Sequence, residues 1–310
     1  MSRNTGYVEF DSIITADGEE YRLHDRFRKF VLSVTGEGHP PISYITQRGP
    51  GQHGSTVIDY RLEDRIIQYT IAVTARNRYD YWDNRELLLD ILRPNRQTDD
   101  SLISPIKLRK YYSNGKKRQI NVVVEAGPTF QPRNPSDHNE YYIQESVRFI
   151  AHDPIYYDPT EECEAFIFEF ENHLVFPITF PIRFGIAAVS NTLDITYIGT
   201  WKTFPVIQIT GPVNGPKITN SVTGKIIKLN YNIPGGRIVT INTQYGNKSI
   251  VDDLGTNLIG VIDNPIDLTT FEIVPAPRAP GGVNTLVAGG YGMSENTLIQ
   301  VAFYNRYFGI

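Results

Sequence analysis

A mostly β fold in two domains is predicted by three features of this sequence. Its 310 residues exceed one ordinary β-sandwich and leave each of two domains enough chain to bury a core. Its 19 Tyr and 15 Phe, against 2 Trp and 2 Met, suit pleated, half-buried surfaces. Short apolar segments alternate with Gly, Pro, Asn and Asp, and a single stretch keeps a helical period.

From Tyr7 the elements follow in order. Asp17-Gly18 signals a hairpin, because both residues tolerate positive φ. Residues 22–34 hold apolar side chains at Leu23, Phe27, Phe30, Val31 and Val34, which fit neither period, and are read as strand-containing. Segments 42–45 and 57–62 flank a Gly-rich turn between Gly49 and Gly54. Segment 65–75 alternates Ile67, Tyr69, Ile71 and Val73 against Gln68, Thr70, Ala72 and Thr74, the pattern of a strand with one buried face. The helix comes next, capped by Asp83 or Asn84. Leu87, Leu88, Ile91 and Leu92 share its apolar stripe, Arg85, Glu86 and Asp90 face outward, and Pro94 stops it. Segments 106–112 and 119–125 flank Ser113-Asn114-Gly115-Lys116, where Asn-Gly is the pair that a two-residue type I′ turn asks for. A strand over 140–151 ends at His152-Asp153-Pro154, a turn signal.

Between Tyr157 and Glu171 the composition becomes acidic and aromatic, and the domain junction is expected there, dividing 1–157 from 158–310. Beyond it, strands are expected at 182–188, 193–197, 204–210, 217–220, 226–229, 237–242, 249–251, 271–274 and 298–307, with turn residues at the spacing of a β-sandwich and no helical period. The first 155 residues hold 21 Lys and Arg against 21 Asp and Glu, and the rest 9 against 13, so the first domain is the charged one.

Composition also narrows the function. A net charge of −4 with no block of like charge argues against specific nucleic-acid binding. The lone Cys163 excludes an intrachain disulfide and fits folding in a reducing cytoplasm. No leader pattern and no long apolar stretch is seen, so no membrane insertion is expected.

No constellation for catalysis, cofactor or metal emerges, and the chain is expected not to be an enzyme. Gly49-Pro50-Gly51-Gln52-His53-Gly54 spells GxGxxG, yet a strand pattern follows it where a dinucleotide loop needs a helix, so it is read as a hairpin loop. His24, His39, His53, His138, His152 and His173 never fall at metal-ligand spacing. His152-Asp153 is read as a turn before Pro154, not half of an acid–base pair. Glu161, Glu162 and Glu164 surround Cys163 and discourage its thiolate. With Glu169 and Glu171 these carboxylates are read as a solvated linker edge in preference to a glycosidase pair. Asn247-Lys248-Ser249 is a sequon only in a secreted chain.

Four stretches together resemble the distal tail (Dit) family of siphophage baseplate hubs. The segment GPGQHGSTVIDYRLEDRIIQYTIAV is similar to that family's glycine turn and Arg-bearing strand, and RELLLDILRP to its single helix. The hairpin at Asn114-Gly115 follows, and RFIAHDPIYYDP (148–159) resembles the end of the first domain. In the second half, ITYIGTWKTFPVIQITGPVNGPKITNSVTGKIIKL, INTQYGNKSI and VAFYNRYFGI resemble the galectin-like second domain, with Gly309 in its closing strand. One departure is Ala279-Pro280-Gly281-Gly282-Val283-Asn284, followed by a Gly-rich insertion from Gly289 to Gly292, where the last hairpin is expected to be rebuilt.

The resemblance implies an N-terminal β-sandwich or split-barrel-like ring domain with one helix and a C-terminal galectin-like β-sandwich. It further implies a homo-hexameric ring in the virion tail tip, joining the tail tube protein to the tail-associated hub protein and carrying receptor-binding or tail fibre proteins. Its channel wall is expected to be acidic or neutral, since clustered cations would hold DNA. The 107–125 hairpin is expected to reach the next subunit, through Lys107, Arg109, Lys110, Lys116, Lys117 and Arg118 meeting Asp99, Asp100 or Glu63. The rival reading is a lectin-like carbohydrate-binding module that stacks sugar on a surface Tyr or on Trp201; an enzyme of cell-wall polysaccharide ranks lower.

Overall fold

The computed structural model describes residues 7–23, 29–94, 105–130, 142–168 and 188–310. The expected strand residues 182–187, together with His24, His138, His173, Asp99, Asp100, Glu169 and Glu171, lie outside them. The chain is mostly β and divides into two compact units, Met1–Pro159 with Tyr307–Ile310, and Thr160–Arg306. The division falls two residues beyond the expected 157/158 junction, and the last four residues belong to the first unit.

In the first unit β1 (Val8–Ile14) and β2 (Glu20–Arg22) form the Asp17-Gly18 hairpin, and β3 (Lys29–Thr35) follows. β4 (Ile42–Gln47) and β5 (Thr56–Leu62) make a separate two-stranded ribbon. β6 (Arg65–Thr74), α1 (Arg78–Ile91), β7 (Ile106–Tyr112), β8 (Lys117–Ala126), β9 (Tyr142–Ala151) and β10 (Tyr156–Tyr157) complete it. The main sheet runs β2-β1-β7-β8-β9-β6-β3. Ile67, Tyr69, Ile71 and Val73 of β6 are fully buried, as the alternation requires, and pack with Val147 and Phe149 of β9.

α1 begins before the expected cap. Asn77 is the N-cap, its Oδ1 accepting from the Asp80 N–H at 2.9 Å, and Asn84 lies within the helix, donating to the Thr74 carbonyl. The extra first turn was hidden because its exposed residues include Tyr79 and Trp82, which do not read as a polar helix face. Leu88, Ile91 and Leu92 are buried as expected, worth roughly 1.5–3 kcal/mol each.

The β7–β8 hairpin forms, with a different turn. Only Gly115 takes positive φ (79°), while the Gly115 N–H bonds Tyr112 O and the Tyr112 N–H bonds Lys116 O. That is a type I turn closed by a glycine bulge, not the expected type I′, which needs positive φ at both central residues.

In the second unit two five-stranded sheets enclose one core of aliphatic and aromatic side chains. One runs through β11 (Glu162–Phe166), β20 (Leu298–Phe303), β13 (Val206–Thr210), β17 (Ile238–Asn242) and β18 (Ser249–Asp252). The other runs through β12 (Ala188–Thr196), β19 (Val283–Tyr291), β14 (Val213–Asn220) and β15 (Lys225–Lys228), with β16 (Asn232–Ile233) on β14. β21 (Arg306–Tyr307) closes the chain, so the expected 298–307 strand is interrupted after Phe303.

Three expectations are corrected here. The acidic stretch is not a solvated linker edge: Glu162–Phe166 is an edge strand on β20, its exposed carboxylates suited to an edge that must not recruit another chain. The expected strand at 271–274 is only a single bridge, from Ile273 to Thr203, and it follows an unforeseen six-residue helix, α2 (Pro265–Thr270), capped by Asn264. Six residues are too few to declare a period. Gly289 and Gly290 are not a loop insertion but lie within β19, where a Cβ would meet Val189 O at 2.6 Å and Val213 Cγ2 at 2.4 Å.

Candidate functional site

Among the described residues no three His, Cys, Asp or Glu side chains are grouped to hold a metal, and no helix is long and apolar enough to cross a membrane. His152 Nδ1 contacts Asp64 Oδ2 at 2.8 Å, both side chains exposed. Cys163 is exposed on the edge strand between Glu162 and Glu164. Trp201 is half-buried in a bridge with Arg306, and its carbonyl accepts from the Tyr197 hydroxyl, so it is no open platform.

What the structure brings together is an exposed apolar surface and a buried clamp, both in the first unit. The surface is the β4–β5 ribbon. Its register pairs Ile42 with Leu62, Tyr44 with Tyr60 and Thr46 with Val57, and residues opposite one another share a face. That face is apolar, whereas Ser43, Gln47, Thr56, Asp59 and Arg61 lie with Ile45 on the other. Ile58 is the extra residue of a bulge between the Ile45–Asp59 and Thr46–Val57 pairs. The pattern is that of a strand pair with one buried face, yet Tyr44, Val57, Ile58 and Tyr60 are 59%, 58%, 60% and 49% exposed.

At the ribbon tip Gly49-Pro50-Gly51-Gln52-His53-Gly54 is the expected hairpin loop. Gln52 orders it: its Oε1 accepts from the Gly49 N–H at 2.9 Å and its Nε2 donates to Thr56 Oγ1 at 3.0 Å. At the base the Glu63 N–H bonds Pro41 O.

The 107–125 hairpin, by contrast, is in the middle of the main sheet, with β7 paired to β1 and β8 to β9. Both of its outer edges are paired within the chain, so neither is open to a neighbour's strand, and several of its cations are already engaged inside the unit. Lys110 is buried, bonding Asp11 Oδ2 at 2.7 Å and pairing with Glu37. Arg118 donates to Gly309 O at 3.0 Å and lies over the Tyr307 ring, and Arg109 bonds Gln119.

The clamp centres on Arg65, which is 1% exposed. Its guanidinium donates to four carbonyls: Pro154 at 2.8 Å, Gly36 at 3.0 Å, Gly38 at 2.7 Å and Phe308 at 2.8 Å. Burial lowers its pKa, opposed by Tyr156 and Glu37 nearby. Burial also raises the Glu37 carboxyl above its ordinary value, against the pull of Lys110. The Tyr69 and Tyr156 hydroxyls are pushed above theirs, again by burial first. Gly309 sits so close that a Cβ would meet Gly38 O at 2.9 Å.

Sequence reasoning missed this clamp, although a signal existed. Arg65 has the parity of Ile67, Tyr69, Ile71 and Val73, and Lys110 that of Ile106 and Leu108, so both cations stand on buried faces.

Comparison with known proteins follows the same division. Residues 16–145 match the family model described as phage tail protein RIFT-related domain, and residues 198–275 that described as siphovirus-type tail component, C-terminal domain. The fold is similar to that of the Dit protein of phage SPP1, described as a paradigm of the hub adsorption apparatus in phages infecting Gram-positive hosts. That match has a TM-score of 0.60 at 14% identity, covering 96% of this chain and 98% of the other. It is also similar to a chain of the phage P2 baseplate in its activated conformation with Ca, with a TM-score of 0.52 at 9% identity, covering 97% and 99%. No curated protein sequence is matched.

Proposed function

The chain belongs to the distal tail family of siphophages and is a structural component of the tail tip; from that premise we propose that it forms a homo-hexameric ring through its first unit. The ring joins the tail tube protein to the hub protein, and the second unit carries receptor-binding or fibre proteins. The reading includes folding in the host cytoplasm and no catalytic role. One observation supports it above the others: the β4–β5 ribbon, amphipathic in pattern, has its apolar face in solvent. An isolated two-stranded ribbon is marginal in water, and one with five large apolar side chains exposed is suited to a partner's surface. A head-to-tail contact repeated around an axis closes into a ring.

The test is the mass of the purified chain. Mass photometry is expected to find six times 35.2 kDa, about 211 kDa, and negative-stain images to contain rings. A monomer at micromolar concentration, with no larger species, would sink the proposal.

A further inference from the structure

A head-to-tail contact needs two different patches, and the first unit carries a second one on α1. Tyr79, Trp82 and Leu89 are 84%, 48% and 49% exposed. With Glu86 they fall three, seven and ten residues along from Tyr79, which is one stripe of a helix. It lies apart from the buried residues Tyr81, Leu88 and Ile91. The Arg85 guanidinium stands 4.4 Å from the Trp82 ring centroid and 4.1 Å from that of Phe130, which holds the indole in place. Tyr, Trp and Arg are the residues that dominate interface energies when water is excluded around them.

We infer that the β4–β5 ribbon of one protomer docks its Tyr44–Tyr60 face on the Tyr79–Trp82–Leu89 stripe of α1 in the next copy of this chain. This rests on the ring reading above and names its two surfaces. Size agrees: the ten steps of helix from Tyr79 to Leu89 span roughly 15 Å, and the four steps of strand from Ile42 to Thr46 roughly 13 Å. Charge agrees too. The ribbon carries Arg48 and Arg61 against Asp59, a balance of +1, while α1 carries Asp80, Asp83, Glu86 and Asp90 against Arg78 and Arg85, a balance of −2. Opposite signs steer the two patches together and disfavour ribbon on ribbon.

Complementation of two defective variants tests it. A ribbon variant (Tyr44→Ser with Tyr60→Ser) keeps the helix stripe, and a helix variant (Trp82→Ser with Leu89→Ser) keeps the ribbon. Each is expected to be monomeric by native mass spectrometry, with an unchanged far-UV circular dichroism spectrum. Mixed one to one, they are expected to form dimers of one ribbon variant and one helix variant and nothing larger, because only one competent contact remains. Should a pair misfold, the single variants Tyr60→Ser and Leu89→Ser are read in the same way. Hexamers from the helix variant alone would overturn the inference while leaving the ring intact. So would two monomeric variants that fail to dimerise when mixed. A wild-type chain that is itself monomeric would overturn the ring reading and this inference with it.

Discussion

Arg65 shows how one side chain can close a fold. Four carbonyls converge on its guanidinium, so no shorter or less branched donor replaces it. Arg65→Leu leaves buried carbonyls without a donor, and urea denaturation is expected to lose about 3–5 kcal/mol; a loss below about 0.5 kcal/mol would contradict the clamp. Glu37 carries a pH signature. Lys110, Asp11, Arg65, Tyr69 and Tyr156 surround it, and burial raises its carboxyl above 4.5 despite Lys110. The folded chain therefore binds this proton more tightly than the unfolded chain. Its contribution to stability falls as pH rises from 4.5 through the raised value. Denaturation midpoints of Glu37→Gln are expected to gain on wild type as pH rises through that window. A gap that narrows would carry the wrong sign.

At the scale of elements, periodicity was informative wherever one face meets a core. β6 alternates as read, and the Asn-Gly hairpin stands where Asn114-Gly115 announced it, although as a bulged turn. β19 was missed because Gly289 and Gly290 resemble loop residues, and only the neighbouring strand reveals that no Cβ fits there. Asn284 at its start was equally unreadable. Fully buried, it accepts from the Val274 N–H and donates to Val274 O and Gly282 O. Asn284→Ala orphans those groups and is expected to destabilise the second unit by about 2–4 kcal/mol in thermal unfolding; an unchanged transition would refute its bridging role. Gly115→Ala, at φ 79°, is expected to cost about 1 kcal/mol in the first unit by the same measurement.

For the whole molecule, the return of Tyr307–Ile310 makes the first unit depend on residues some 150 positions downstream of its last long strand. Tyr307 joins its core, and Phe308 and Gly309 supply carbonyls to Arg65 and Arg118. Gly309→Val is expected to loosen the first unit, seen as faster hydrogen exchange in β6 and β8, while the second unit's strands keep their rates. Uniform acceleration would mean a global effect instead. In the proposed ring the channel is expected to pass DNA without holding it, so duplex binding by the purified chain should be weak. Tight, salt-sensitive binding would count against a neutral or acidic wall.

By itself the sequence determined the class of fold, α1 and most strands, because these follow from local period and turn chemistry, while the family came from the resemblance of whole stretches of the chain. Only the tertiary structure decided which apolar faces are covered. Tyr44 and Tyr60 alternate as Ile67 and Tyr69 do, yet the first pair stands in solvent and the second in the core. Period reports that a face needs burial and not what buries it. For the same reason the 107–125 hairpin, rich in cations, reads in the sequence as an arm that reaches a neighbour. Pairing across the sheet put that hairpin inside and left the ribbon free.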